Sequence, residues 1–117
     1  MALPVQYFQK LVESSPDIII SVDKSGTITF YNDGARQNLG FSSDEVLGKN
    51  VLEIYPSLED ARKVMAAMRA DDGTGKGRVR NFETTCKTKR GEQIPVAISA
   101  SIIYDDRGEE IGSIGFA

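Results

Sequence analysis

A chain of 117 residues, 40% apolar and 26% charged, is long enough to bury one core and too apolar to be a disordered segment, so one globular domain is expected. A net charge of −3 gives no electrostatic reason to expect nucleic acid or an anionic membrane surface. No histidine is present, which excludes histidine-ligated zinc or haem, imidazole acid–base chemistry and Ser-His-Asp triads within this chain. The single cysteine, Cys86, excludes an internal disulfide framework and thiolate zinc clusters, and suits a reducing compartment. No apolar run approaches bilayer length, and the opening Met1-Ala2-Leu3-Pro4 lacks the charged and apolar regions of a signal peptide. The expectation is a cytoplasmic domain without direct membrane insertion, either free or as the cytosolic part of a membrane-anchored protein.

Residues 1–14 are expected to form an N-terminal amphipathic helix, from Pro4 to Ser14. Val5, Phe8, Leu11 and Val12 fall on one stripe at helical spacing. That stripe either packs on the domain's own sheet or pairs with the same helix of a second copy. Pro16 ends the helix, because the residue before a proline is pushed out of the helical region. Asp17 to Gly40 then reads as strand, tight turn, strand and short helix. Ile18, Ile19, Ile20 and Val22 are β-branched strand formers, and Asp23-Lys24-Ser25-Gly26 is turn chemistry. Thr27 to Tyr31 alternates small polar with large apolar residues, as a half-buried strand does. Asn32 and Asp33 offer side-chain oxygens to the open N–H groups of the next helix.

Ser42 and Glu45 fit a capping box for a second short helix, and Gly48 is placed to stop it. Lys49 to Tyr55 predicts a helical turn closed by Pro56. Ser57 caps the longest helix, residues 57–70, on which Leu58, Ala61, Val64, Met65 and Met68 share a face. The loop from Asp71 to Gly77 is polar and glycine-rich. Three strands follow, at about residues 79–88, 93–104 and 110–116, joined by short turns that force antiparallel pairing. The fold class is therefore α+β: a five-stranded antiparallel sheet with helices gathered on one face.

Several segments in this order resemble a PAS domain, the fold of many sensory modules in signal transduction. Ser15-Pro16-Asp17, the Asp23 to Gly26 turn, Ile28-x-Phe30-x-Asn32 and the Gly40-Phe41-Ser42 to Gly48 segment match its first half. Arg90-Gly91-Glu92, Val96-x-Ile98-Ser99-Ala100-Ser101, and Asp106-x-Gly108 with Ile111-Gly112 match its second half. The resemblance implies a PAS domain over residues 15–117, with the first strand beside the last and helices enclosing a pocket. It also implies a chain that stops before the connecting output helix, with an output domain downstream in the parent chain. The implied function is a sensory module of a larger protein, foremost a sensor histidine kinase, that binds a small molecule or partner and relays a conformational signal. The alternative is a ligand-free scaffold for dimerisation, in a cyclic-dinucleotide enzyme or a transcription regulator. A homodimer through Val5, Phe8, Leu11, Val12 and the sheet face is the implied partner.

No enzyme is expected in this domain. Its carboxylates, Asp23, Asp33, Glu45, Asp105, Asp106, Glu109 and Glu110, mostly sit at turns or caps, and no catalytic constellation assembles. Gly73-Thr74-Gly75-Lys76-Gly77 fails as a phosphate loop in both spacing and context, since it follows a helix and precedes a strand. The helical turn Val51 to Tyr55 has no cysteine where a covalent-flavin photosensor needs one. Cys86 falls on a strand, with Lys87 and Lys89 alternating to the opposite face, and reads as a buried structural thiol rather than a redox sensor. A noncovalent flavin or a small organic ligand stays open. The candidate pocket lining is Ile20, Phe30, Phe41, Ile54, Tyr55, Met65, Met68, Phe82, Ile98 and Ala100. Tyr31, Tyr55, Ser99 and Ser101 are candidate hydrogen-bond donors to a ligand.

Overall fold

The computed structural model describes residues 5–70 and 77–117. The glycine-rich connector expected over Asp71 to Gly77 lies, except for Gly77, outside them, and so does the side chain of Phe8. The chain order is α1 (Val5–Glu13), β1 (Ile19–Asp23), β2 (Ile28–Tyr31), α2 (Asp33–Leu39), α3 (Ser43–Val46), a 3-10 turn (Val51–Ile54), α4 (Leu58–Arg69), β3 (Arg78–Lys87), β4 (Gln93–Tyr104) and β5 (Glu110–Phe116). The five strands form one antiparallel sheet in the order β2-β1-β5-β4-β3. The first strand therefore lies beside the last. Ile18 and Ala117 exchange both backbone hydrogen bonds at 2.9 Å, closing that seam at its end.

Local chemistry accounts for the joints. The Asp23 carboxylate accepts hydrogen bonds from the N–H groups of Ser25 and Thr27, at 2.9 and 3.0 Å, and folds the β1–β2 turn. Asp105 does the same for Arg107 and Glu109 between β4 and β5. Ser57 caps α4 by accepting from Asp60 N at 3.3 Å. At α3 the Glu45 carboxylate accepts from Ser42 N at 2.8 Å.

Asn32 is the most connected of these residues. It is 1% exposed and caps α2. Its Oδ1 accepts from Ala35 N at 2.9 Å and from Ile19 N at 3.0 Å. Its Nδ2 donates to the carbonyl oxygens of Asp17 and Val12, at 2.9 and 3.0 Å. One buried side chain thus ties α2, β1 and α1 together, and every polar group it carries is satisfied. Gly34 sits in the same knot. A Cβ there would lie 2.1 Å from the Asp17 carbonyl oxygen, so only glycine lets the first turn of α2 approach this closely. Asp33, expected to share the capping, instead binds Arg36 and Gln37 along the outside of α2, at 2.8 and 2.6 Å.

Two apolar clusters fill the inner face. One gathers Ile18, Ile20, Ile28, Tyr31, Ala35, Leu39, Val46, Ile54 and Cys86 under α2, α3 and the 3-10 turn. The other gathers Val64 and Met68 of α4 over Val79, Ile98, Ala100 and Ile102. Tyr55, Val96 and Ala117 pack against both.

The β2 register differs from simple alternation. Ile20 pairs with Tyr31, Ser21 with Phe30 and Val22 with Ile28, so Thr29 is the extra residue of a β-bulge. Residues directly opposite one another share a face. The bulge therefore turns Ile28 and Tyr31 inward together and sends Phe30 to the outer face with Ser21.

Candidate functional site

A cavity of about 140 Å³ lies between α4, the 3-10 turn and the inner face of the sheet. Its floor comes from the three central strands. Ile20 and Val22 of β1 face it, as do Ser113 and Gly115 of β5 and Ile98, Ala100 and Ile102 of β4. The register sets Gly115 between Ile20 and Ala100. Two neighbouring positions with little or no side chain leave room that larger residues would fill. Ala61, Val64 and Met68 of α4 form the roof, with Met65, 49% exposed, at its rim. Ile54, Tyr55 and Cys86 complete the wall. Charged side chains appear at the opening, where Lys24, Arg69 and Glu110 contribute.

Of the ten lining residues expected, Ile20, Ile54, Tyr55, Met65, Met68, Ile98 and Ala100 are in this wall. Phe30, Phe41 and Phe82 are not. The bulge at Thr29 puts Phe30 on the far side of the sheet. Phe41 follows the end of α2 and packs against the cluster that holds Leu39 and Tyr31. Phe82 faces inward but sits beyond an irregularity in β3, where Asn81 takes a φ of 51°, and packs against the Val64 cluster instead. The sequence reading also passed over Ile18, Val22, Ala61, Val64, Cys86, Ser113 and Gly115. Ala61 and Val64 share the apolar stripe of α4 with the two methionines. Gly115 becomes visible only once β5 is known to lie between β1 and β4.

The expected polar groups separate in the same way. Ser99 and Ser101 lie opposite Phe116 and Ile114 and so face outward. Ser99 Oγ accepts from Asn81 N at 3.1 Å. Tyr31 donates its hydroxyl to the Ala35 carbonyl at 3.2 Å, and burial pushes its pKa up to about 12. Only Tyr55 of the four lines the cavity. Burial raises its pKa, with the neighbouring Cys86 adding to the effect. Cys86 is 2% exposed, and burial lifts its thiol to about 11, so at neutral pH it is an uncharged wall residue. The cavity is therefore an apolar chamber with one phenol in its wall and a charged rim.

The family profile of the PAS domain matches residues 16–117. The chain belongs to the PAS domain family. No curated protein matches the sequence. Solved PAS domains share the fold at low identity. One from Colwellia psychrerythraea superposes with a TM-score of 0.81 at 18% identity, over 96% of this chain and 92% of its own. A PAS domain of a two-component sensor histidine kinase gives 0.74 at 16% identity, over 95% and 91%. The PAS domain, in complex with ethanol, of a LuxR-family transcriptional regulator from Burkholderia thailandensis gives 0.74 at 13% identity, over 94% and 95%. PAS domains are in general sensory modules of signal transduction.

Proposed function

We propose that this PAS domain is a non-enzymatic input module, over residues 15–117, of a cytoplasmic sensor histidine kinase or a comparable signalling protein, and that it senses a small apolar molecule. The observation that carries the reading is the apolar cavity over Gly115 and Ala100, with Tyr55 in its wall. At about 140 Å³ the space suits a six-carbon molecule, since an apolar cavity of about 150 Å³ takes up benzene. It is too small for a three-ring flavin, because sites for drug-sized ligands start near about 300 Å³. The buried thiol favours a reducing compartment, and among the described residues no helix is long and apolar enough to cross a membrane. A ligand signals only by binding one packing state more tightly than another. The Asn32 bonds to Ile19 and Val12 offer a route from the sheet to α1.

NMR titration with heptanol tests the reading. Saturable amide shifts at Tyr55, Ile98, Ala100 and Gly115, abolished in Ala100→Leu, are expected. Shifts confined to exposed residues, or unchanged by that cavity-filling variant, contradict it.

A second reading, a ligand-free dimerisation scaffold, draws on exposed apolar residues of α1 and of the outer sheet face. Phe116 and Ile103 of the outer face are 42% and 38% exposed, and Val5 and Leu11 of α1 are 69% and 50% exposed. Exposed large apolar side chains are the material of association surfaces. The two readings are compatible, because Ile103 and Phe116 lie on the outer face of the sheet and the cavity on the inner one.

A further inference from the structure

The rim of the cavity carries a feature that the apolar chamber does not require. Arg69, in the last turn of α4, donates from Nη1 and Nη2 to Glu110 Oε2 and Oε1, at 3.1 and 2.8 Å. Paired parallel bonds are the geometry with which a guanidinium takes any carboxylate. Glu110 is the first residue of β5, so the pair joins two elements that border the opening. It is not buried: the two side chains are 52% and 31% exposed. Lys24, from the β1–β2 turn, is close enough to act electrostatically on the same carboxylate. The other rim acid, Asp23, has its Oδ1 committed to the backbone of its own turn. Two cations therefore share the one carboxylate that points to neither cap nor turn.

We propose that the ligand is a small amphiphilic carboxylate, with an apolar body of about six carbons in the chamber and its carboxylate on Arg69 and Lys24, where it replaces Glu110. This rests on reading the cavity as a ligand site. The replacement exchanges one carboxylate for another, so the guanidinium keeps its paired hydrogen bonds throughout. Glu110 is released into water at little cost, because it is already partly exposed. A neutral molecule of the same shape keeps the apolar contacts and gains nothing at the rim. Occupancy would then free the start of β5, the central strand between β1 and β4.

Calorimetry with heptanoate and heptanol at neutral pH and low salt separates the two claims. Heptanoate forms one exposed ion pair worth up to about 1 kcal/mol and breaks another, so it should bind the parent chain about as tightly as heptanol, and the gain should appear as about fivefold tighter heptanoate binding in Glu110→Gln. Adding Arg69→Gln to that variant should erase the gain and leave heptanol unchanged. Glu110→Gln removes the competitor and should tighten heptanoate while leaving heptanol alone. Heptanol tightened as much as heptanoate by Glu110→Gln, or heptanoate indifferent to both variants, overturns the carboxylate proposal while the cavity reading stands. If neither molecule binds, the cavity reading falls and this proposal with it.

Discussion

The side-chain amide of Asn32 lies 3.0 Å from the carbonyl oxygen of Val12, twenty residues earlier in the chain. A helix cap has become the tie between an N-terminal helix and the sheet. A simple cap is worth about 1 kcal/mol. Asn32 also satisfies Ile19 N and two carbonyls in a buried setting, so Asn32→Ala should cost about 3 kcal/mol in urea unfolding. Asn32→Asp keeps the acceptors but loses both donors, and should loosen α1 specifically. Faster amide exchange in residues 5–13 of that variant, with α4 unchanged, is the expected outcome.

Acid sensitivity should centre on Glu45. Its carboxylate binds Lys89 at 2.6 Å and also accepts from Ser42 N, and these contacts lower its pKa from 4.5 to about 2. A lowered folded-state pKa means that the stabilisation is fully present above the unfolded value and is lost as pH falls. The window runs from about 4.5 down to about 2. Glu45→Gln should flatten the acid limb of a stability–pH curve across that window and lower the neutral-pH plateau, while matching the parent chain at the acid end. An unaltered acid limb would remove Glu45 from the explanation.

Cys86 should behave as a buried thiol. With its pKa raised to about 11 and 2% of its surface exposed, it is expected to resist thiol reagents at neutral pH in the folded protein. Labelling should follow unfolding in denaturant. Fast stoichiometric labelling of the native protein would assign this position a redox role instead.

What was legible in the sequence was local. The Asp23 turn, the Asn32 and Ser57 caps and the α4 stripe depend on residues a few positions apart, and each takes the form its chemistry dictates. The cavity wall was legible where it rests on helical or strand periodicity, as at Met68, Ile98 and Ala100. It was not legible at Phe30, because a single bulged residue, Thr29, reverses the face of everything after it, and a bulge depends on the partner strand. Nor was it legible at Gly115, whose importance comes from standing between Ile20 and Ala100 on strands far apart in sequence. The Arg69–Glu110 pair spans forty-one positions and has no local signature.

Association should run through the exposed stripe of α1. Val5→Glu combined with Leu11→Glu places charge on a surface that is now apolar and exposed. Sedimentation velocity should show a dimer for the parent chain and a monomer for the double variant, with the melting temperature changed little. A parent chain that stays monomeric at high concentration would leave this surface without a partner in a second copy.

The most direct measurement is a crystal structure of this domain under xenon pressure. An apolar chamber of this volume accepts such an atom because nothing polar competes for the space. The expected result is a xenon site among Ile20, Met68, Ile98 and Ala100, absent in Ala100→Leu. Side chains closed over Gly115, with no xenon between α4 and the sheet, would contradict the claim that this domain holds a ligand chamber.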